Sequence, residues 1–179
     1  MYYEMKYDSP VGRLTLASDG LNLAGLWMEG QKYFGGTVPG ELRPNEELEV
    51  FSRAKDWLDR YFNGKKPEPS ELPLAPVDGE FRRTVWELLC EIPYGELTTY
   101  GQIAREAAKR LQRESMSAQA VGGAVGHNPI SIIIPCHRVV GTGGSLTGYA
   151  GGLDKKIWLL KHEGVKMDGL TVPARGTAL

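Results

Sequence analysis

The residues between Lys65 and Pro76 divide this chain into two parts with different hydrophobic patterns. Four of these residues are proline, which cannot donate a backbone hydrogen bond and is disfavoured inside helices and central strands. Before this segment apolar residues alternate as they do in strands, whereas after it they recur at helical spacing. The pattern predicts a linker and two small domains, residues 1–76 with the linker and residues 77–179.

The part before the linker is predicted to form an antiparallel sheet with one helix. Apolar residues alternate in three short runs up to Met28, and glycine-containing turns separate the runs, as in a meander of strands. The glycine- and proline-rich residues 30–44 predict a loop. Asn45 is a candidate N-cap for a helix that ends at Asn63–Gly64.

The second part is predicted to be mostly helical. Asp78 is a candidate cap for its first helix, and residues 99–125 contain two helices, the second capped by Ser117 and rich in alanine and glycine. This pair resembles a helix-turn-helix, although small residues more commonly indicate close packing in a core. A final helix is predicted over Asp154–Glu163, and the tail after Val165 is expected to be loosely held.

Composition excludes several classes of protein. The chain has 179 residues, 41% of them hydrophobic, and a formal net charge of −1, which indicates folded domains without an overall basic character. No apolar run is long enough to span a membrane, and the first residues lack the pattern of a signal peptide. The two cysteines, Cys90 and Cys136, cannot make a disulfide framework and lack CxxC spacing. We therefore expect a soluble, cytoplasmic protein with reduced thiols and no metal site.

The apolar run Ile130–Ile134 leads directly into a segment that can carry chemistry. Pro135 ends the run, so Cys136 and His137 lie directly after the end of the buried element. Most free cysteines are small buried hydrophobes. A thiolate nucleophile, however, needs a base and a nearby positive charge, and His137 and Arg138 supply both types. Because adjacent residues of an extended segment point to opposite sides, a base that acts through one bound water is the easier arrangement.

Other residues are candidates to support this cysteine. Glu163 can orient the histidine, and Asn128 can hold the backbone or a water, although a helix-end glutamate and an Asn-Pro turn also occur without any function. His127, His162 and Cys90 are expected to be structural or exposed. The chemistry itself leaves several reactions open. Such a group of residues can hydrolyse amides or esters, or the sulfur can receive a group and keep it.

Several motifs occur together, in one order, over most of residues 77–165. They are Phe81–Trp86, Ile92–Ala104, Ala120–Ala124 followed by Asn128–Pro129, Ile134–Val139, Gly148–Leu153 and Lys161–Gly164. This ordered set resembles the O6-alkylguanine-DNA alkyltransferases, which are the methylated-DNA–protein-cysteine methyltransferases. The resemblance implies an α/β (α+β) protein. Its small first domain would be ribonuclease-H-like, with an antiparallel sheet and a helix, and its mostly α second domain would contain a winged-helix-like helix-turn-helix.

The resemblance also implies a function in DNA repair by direct reversal of damage. The protein would bind duplex DNA through the minor groove and flip out O6-methylguanine, and by extension O4-methylthymine. It would transfer the alkyl group irreversibly to Cys136 in a single turnover. No metal or other cofactor is implied, no membrane is involved, and the protein would act as a monomer.

Roles for individual residues follow from the same resemblance. Cys136 would be the acceptor, His137 the base acting through water, Glu163 its orienter and Asn128 a support for the turn. Tyr100 would donate its hydroxyl to the leaving guanine and contact the DNA backbone. The other DNA-binding residues would be Gln119, Ala120, Gly123 and Arg138, with Arg138 also tying the loop together. The pocket would be lined by Val139, Tyr149, Ala150 and Gly151.

Gln119 departs from the family pattern, because the family commonly has an arginine at this position that replaces the flipped base. Glutamine fills the gap and forms hydrogen bonds but adds no charge, so we expect flipping with more modest affinity. Three alternatives are a non-enzymatic sensor that binds alkylation damage, a cysteine hydrolase, and a helix-turn-helix regulator. The sensor would not need Cys136, and a hydrolase would turn over repeatedly.

Overall fold

The computed structural model describes residues 1–173, which form two compact units. The first unit contains residues 1–77 together with 129–133, and the second contains residues 78–128 and the chain from Ile134 onward. A sheet with a helix in the first part and a mostly helical second part are both confirmed. Residues 129–133 belong to the first unit although they follow three helices of the second in the sequence.

A four-stranded sheet with the strand order β3-β2-β1-β4 forms the base of the first unit. Strands β1 (Tyr2–Ser9), β2 (Gly12–Ser18) and β3 (Leu23–Met28) pair antiparallel, as the alternation predicts. A short strand β4 (Leu42–Pro44) pairs parallel to β1, so the prediction that residues 30–44 form only a loop is wrong. The local sequence favours turns there, and pairing with a distant strand makes its end extended.

Helix α1 (Glu49–Phe62) packs on this sheet through an apolar face. The indole N–H of Trp57 in this helix donates to the carbonyl oxygen of Glu68 at 2.8 Å. The prediction that Asn45 caps the helix is wrong, because its side chain instead accepts a hydrogen bond from the backbone N–H of Glu47 at 3.2 Å. That hydrogen bond closes a turn before the helix begins.

Two distant segments cover the outer edge of β3. The backbone N–H of Leu23 donates to Pro73 at 2.8 Å, and the N–H of Ala75 donates back to Leu23 at 2.8 Å. Further along, the N–H of Leu26 donates to the carbonyl oxygen of Pro129 at 2.8 Å. The interpretation of the proline-rich segment as a linker is therefore wrong for its second half. It satisfies backbone groups that an uncovered edge strand would leave unpaired.

The second unit contains four helices and a two-stranded parallel ladder. The helices are α2 (Glu80–Cys90), α3 (Tyr100–Arg110), α4 (Ala118–Gly126) and α5 (Leu153–His162), and the strands are β5 (Thr98–Thr99) and β6 (Val139–Val140). Helices α2, α3 and α4 pack on one another. The indole N–H of Trp86 ties α2 to α4 by donating to the carbonyl oxygen of Ala124 at 2.8 Å.

Of the two caps predicted for these helices, Ser117 is confirmed and Asp78 is wrong. Ser117 caps α4 as predicted, since its hydroxyl accepts hydrogen bonds from the first turn of the helix. Asp78 does not cap α2, because Gly79 occupies the N-cap position. The Asp78 carboxylate instead accepts hydrogen bonds from the backbone N–H of Gly79 at 2.6 Å and from Arg82 at 2.9 Å.

The chain after α5 is held by backbone pairing. The N–H of Leu146 donates to Thr171 at 2.8 Å, and the N–H of Thr171 donates to Gly144 at 3.0 Å. The prediction of a loosely held tail after Val165 is therefore wrong as far as Thr171. The last part of that prediction, residues 174–179, lies outside the described residues.

Gly25 in β3 has no room for a side chain, because a Cβ atom there would lie 2.2 Å from the ring of Trp27. We expect Gly25→Ala to lower the free energy of unfolding by about 2 kcal/mol, since the buried indole must shift. Gly123→Ala is the control, because nothing lies within 4 Å of its Cβ position and alanine favours the helix. Urea denaturation measures both variants. Equal effects would contradict this account of the packing.

Candidate active site

Cys136 lies in a tight turn that hydrogen bonds hold in place. One turn of 3₁₀ helix, Cys136–Arg138, follows Pro135. The backbone N–H of Cys136 donates to the carbonyl oxygen of Ile134 at 2.8 Å, and the side-chain amide of Asn128 donates to the same oxygen at 2.8 Å. The cysteine is 6% exposed, so its sulfur is nearly enclosed.

Burial also decides the protonation state of this sulfur. It raises the pKa of the Cys136 thiol above its ordinary value, and the hydrogen bond with Asn128 and the positive charge of Lys156 oppose this rise without reversing it. The thiol is therefore protonated at neutral pH. A base must take its proton before the sulfur can act as a nucleophile.

The carboxylate of Glu163, directly after α5, is the centre of a buried hydrogen-bond network. Its Oε2 lies 2.5 Å from Nε2 of His137, and its Oε1 accepts from Nε of Arg138 at 2.7 Å and from the N–H of Gly95 at 3.0 Å. Arg138 also donates to the carbonyl oxygen of Ile92 at 2.7 Å. Burial by itself would raise the pKa of Glu163, but the hydrogen bonds and charges of His137 and Arg138 lower it well below its ordinary range. The carboxylate is therefore ionised at neutral pH.

This carboxylate determines which nitrogen of His137 carries the proton. Burial lowers the pKa of His137 below its ordinary value, so the ring is neutral at neutral pH. A neutral imidazole beside a carboxylate donates from the nitrogen that faces it, which is Nε2, and leaves Nδ1 as an acceptor. Nδ1 is buried and has no hydrogen-bond partner among residues 1–173. The residue next to Cys136 thus holds an unused proton acceptor.

A buried lysine near the sulfur is a group that our sequence analysis missed. Lys156 on α5 is fully buried, and its Nζ donates to the carbonyl oxygens of Val139 at 2.7 Å and of Thr147 and Gly148, each at 3.2 Å. Burial lowers the pKa of Lys156 to about 8, although the negative charge that Cys136 can carry opposes this shift.

The helical pattern of α5 contains a signal for this lysine. Position 156 lies on the same face as the apolar residues Leu153 and Leu160. A charged residue within an apolar stripe indicates a buried, partnered charge, and that observation would have identified Lys156 from the sequence.

A small pocket opens beside Cys136. Its lining comes from α3, α4, the turn at Cys136 and the segment before α5, namely Tyr100, Val125, Gly126, Cys136, Gly148, Tyr149 and Ala150. The hydroxyl of Tyr100 donates to the carbonyl oxygen of Thr147 at 3.2 Å. The hydroxyl of Tyr149 is buried and has no hydrogen-bond partner within the described chain. Two polar groups therefore border an otherwise mostly apolar pocket.

The remaining candidates lie around this pocket or on the surface. Gly151 is half-buried and follows the lining residue Ala150. On α4, Gln119 and Ala120 are exposed and Gly123 is half-buried. The exposed face of this helix is thus formed by small residues around a single amide side chain.

The structure corrects the placement of Arg138 among the DNA-binding residues. Its guanidinium is buried and donates to Glu163 and Ile92, so it is directed into the protein rather than towards a phosphate. The position agrees with the other expectation for this residue, that it ties the loop together.

Residues 1–173 contain neither a metal-binding cluster nor a membrane-spanning helix. No group of three or more His, Cys, Asp or Glu side chains there could hold a metal ion. No helix in the described part of the chain is long and apolar enough to cross a membrane.

Comparison with protein families matches both parts of the chain. Residues 1–76 match the model described as the ribonuclease-like domain of 6-O-methylguanine DNA methyltransferase, and residues 80–165 match the model of its DNA-binding domain. The chain belongs to the 6-O-methylguanine DNA methyltransferase family. The resemblance inferred from the sequence motifs is confirmed, and the two parts of this methyltransferase correspond to the ribonuclease-like and DNA-binding domains of the family.

Individual methyltransferases are similar over nearly the whole chain. The methylated-DNA--protein-cysteine methyltransferase of Methanosarcina acetivorans is 45% identical over 166 residues, which cover 92% of this chain and 99% of that protein. The Haemophilus influenzae protein of the same name is 42% identical over 163 residues, or 91% of this chain and 86% of that protein. The crystal structure of Mycobacterium tuberculosis OGT in complex with DNA matches with a TM-score of 0.76 and 42% identity, covering 90% of this chain and 91% of that chain.

We expect Glu163→Gln to lower the free energy of unfolding by about 3 kcal/mol at pH 7, because it leaves the buried charge of Arg138 without its counter-ion. The folded-state pKa of Glu163 is lowered, so its stabilisation is complete above the unfolded value of about 4.3 and is lost as the pH falls below it. The difference from wild type should therefore shrink in acid. Urea denaturation between pH 7 and pH 3 tests this.

Glu91→Gln is the matched control for this prediction, because Glu91 pairs with Arg110 on the surface and its side chain is 58% exposed. A surface pair of this kind contributes about 0.5 kcal/mol. A loss for Glu163→Gln no larger than the loss for Glu91→Gln, or one that does not change with pH, would contradict the buried network.

Proposed function

We propose that this protein repairs duplex DNA by moving the alkyl group of an O6-alkylguanine, methyl in particular, to the sulfur of Cys136. The observation that carries the proposal is the surroundings of that sulfur. A buried thiol lies next to His137, a histidine with an unused acceptor nitrogen, and an ionised Glu163 holds that histidine. Membership of a family whose model is a DNA-binding domain, and similarity to a protein solved with DNA, support duplex DNA as the partner.

The reaction begins with removal of the thiol proton. The proton of Cys136 passes through a bridging water to Nδ1 of His137, and Glu163 stabilises the imidazolium that forms. The thiolate then attacks the alkyl carbon of the lesion. A bond between sulfur and carbon forms while the bond between that carbon and O6 breaks, and the electron pair stays on guanine. The thioether product does not release the alkyl group, so each molecule reacts once.

Lys156 assists the step that creates charge on sulfur. Its buried ammonium favours the thiolate electrostatically, since the interaction of two charges is stronger in a medium of low dielectric constant. Its hydrogen bonds to Val139, Thr147 and Gly148 also join the two chain segments beside the pocket. The lysine thus acts on both the charge of the nucleophile and the shape of the pocket.

Tyr100 assists the departure of guanine. Burial raises the pKa of its hydroxyl to about 12, so the hydroxyl is protonated. Its proton, which is donated to Thr147 in this structure, turns to the base as negative charge develops there. The same residue contacts the phosphate backbone of the DNA.

Backbone groups and small residues around the pocket recognise the guanine. The carbonyl oxygens of Cys136 and Val139 accept hydrogen bonds from its exocyclic amine. The Val139 oxygen can accept from the amine and from Lys156 at the same time, because a carbonyl oxygen has two lone pairs. The N–H of Ala150 donates to the guanine oxygen. Tyr149 packs against the base, and Gly151 leaves space for the alkyl group.

Recognition of DNA rests on α4, which enters the minor groove with Ala120 and Gly123 towards the backbone. Small residues permit this close approach. The lesion must leave the base stack before its alkyl carbon can reach a buried sulfur. Gln119 then fills the gap and forms hydrogen bonds with the unpaired cytosine.

The domain that acts, a second substrate, the oligomeric state and the cellular location follow from this chemistry. We assign binding of DNA and acceptance of the alkyl group to residues 77–179, and O4-methylthymine is a second substrate because it presents an alkyl group on a similar exocyclic oxygen. We assign the monomer as the acting form, because the network of His137, Arg138 and Glu163 beside Cys136 is complete within one chain. The reaction needs a reduced thiol, which places it in the cytoplasm.

The competing functions make different demands on these residues. A sensor that binds lesions without reacting has no use for a protonated cysteine beside a histidine and a glutamate. A cysteine hydrolase forms an acyl intermediate that water removes, and it therefore turns over many times. The number of groups transferred per molecule separates these functions from the proposed one.

We expect one methyl group per molecule on the peptide that contains Cys136 after incubation with duplex DNA carrying a single O6-methylguanine. Intact and peptide mass spectrometry measure this. Cys136→Ser should bind the duplex and gain no mass, whereas Cys90→Ser should react like wild type, because Cys90 lies outside the site. Methylation that persists in Cys136→Ser would overturn the assignment, and repeated turnover would favour the hydrolase.

We expect Tyr100→Phe to slow transfer on the order of 10-fold to 100-fold, because a hydrogen-bond donor to the leaving base is lost. The single-turnover rate constant at saturating DNA measures the chemical step separately from binding. Tyr3→Phe, a change of the same kind in β1, is the control. A rate constant for Tyr100→Phe equal to that of the control would remove Tyr100 from the mechanism.

A further inference from the structure

The connection between α3 and α4 is longer than a helix-turn-helix requires. Helix α3 ends at Arg110 and α4 begins at Ala118, so Leu111–Ser117 form a seven-residue connection, whereas turns of this motif typically have about 3–4 residues. The third residue of this connection is Arg113, which is exposed. The connection therefore presents a cation at the surface.

Hydrogen bonds at the end of α3 fix the backbone of Arg113. Gln112 adopts a left-handed conformation with φ of 54°, and its N–H donates to Lys109 at 3.2 Å. The N–H of Arg113 donates to the carbonyl oxygen of Ala108 at 2.9 Å. This pair of bonds is the Schellman motif, which ends a helix in a defined geometry. Arg113 therefore leaves the helix in one direction despite the length of the connection.

An open groove of about 410 Å³ lies between α3 and this connection. Helix α3 contributes the small residues Gly101, Ala104 and Ala108 to its lining. Residues 113–116 of the connection and Ala118 at the start of α4 also line it. We call this feature the α3–α4 groove.

Positive charge predominates along the α3–α4 groove. Its lining includes three cations, Arg105, Lys109 and Arg113, and one carboxylate, Glu114. Lys109 is paired with the neighbouring Glu106 at 3.0 Å, and its side chain is 72% exposed. A surface pair of this kind is weak and easily exchanged for another anion. Within the described residues, Arg105 donates to a neutral group, the side-chain oxygen of Gln102 at 2.8 Å.

We propose that the α3–α4 groove holds the sugar–phosphate backbone of the DNA beside the lesion, with Arg105 and Arg113 on successive phosphates. Two residues of its lining, Gly101 and Ala118, are next in sequence to Tyr100 and Gln119. The groove therefore lies beside the residues that we propose contact the lesion and fill its gap. The inference rests on the proposed function and adds a contact outside the flipped base. Arginine suits this position, since its planar group binds phosphate oxygens in pairs.

The salt dependence of DNA binding tests the groove directly. Fluorescence anisotropy with a duplex carrying O6-methylguanine gives Kd from 0.05 to 0.5 M salt, in full-length protein with Cys136→Ser to prevent transfer. The slope of log K against log salt is negative, and each lost phosphate contact reduces its magnitude by about 0.9. Between 1 M and 0.1 M salt, the affinity then rises roughly eightfold less. We expect Arg105→Ala with Arg113→Ala to reduce the magnitude of the slope by about 1.8.

Lys161→Ala with Lys166→Ala is the matched control, because both lysines are exposed in the same unit and lie outside the groove lining. This pair removes the same charge and should leave the slope unchanged. Equal slopes for wild type and the arginine variant overturn the proposal, and an equal fall in the lysine variant does so as well, since bulk charge then explains the effect. Separately, a wild-type protein that neither binds the duplex nor becomes methylated overturns the proposed function itself.

Discussion

The ionised carboxylate of Glu163 is the group on which the rest of the site depends. A buried charge is costly unless it is paired and fully hydrogen-bonded, and Glu163 meets this condition through His137, Arg138 and the backbone N–H of Gly95. Because Arg138 also binds the carbonyl oxygen of Ile92, the network ties the end of α2 and the turn after it to the end of α5 and the segment that carries the cysteine. One electrostatic requirement therefore fixes both the local fold and the tautomer of the histidine.

The same burial keeps Cys136, the proposed nucleophile, in its unreactive protonated form. The Cys136 thiol is protonated at neutral pH because its surroundings disfavour negative charge, which protects it from oxidation and from unrelated electrophiles. In the proposed reaction His137 supplies the proton acceptor, and the positive charge of Lys156 lessens the cost of the thiolate. A protein that reacts once per molecule benefits from such an arrangement, since every unproductive reaction would consume it.

Chemistry and recognition of DNA are assigned to different surfaces of the second unit. The groups proposed to react are buried, whereas the exposed face of α4 and the α3–α4 groove, which we propose contact the duplex, have small residues and positive charge. This separation explains how a chain with a net charge of −1 can bind a polyanion, because only the local distribution of charge matters at the contact.

Local patterns in the sequence determined a large part of this protein. Alternation predicted β1, β2 and β3, helical spacing predicted α3 and α4 with Ser117 as a cap, and the segment around Cys136 drew attention to His137 and Glu163. The tertiary structure decided what depends on residues far apart in the chain. Four features each require a partner that local propensity does not encode. They are the parallel pairing of β4, the covering of β3 by the proline-rich segment, the direction of Arg138 into the protein and the burial of Lys156. Pairing and desolvation act through space, so the fold alone determines which charges are buried and what they contact.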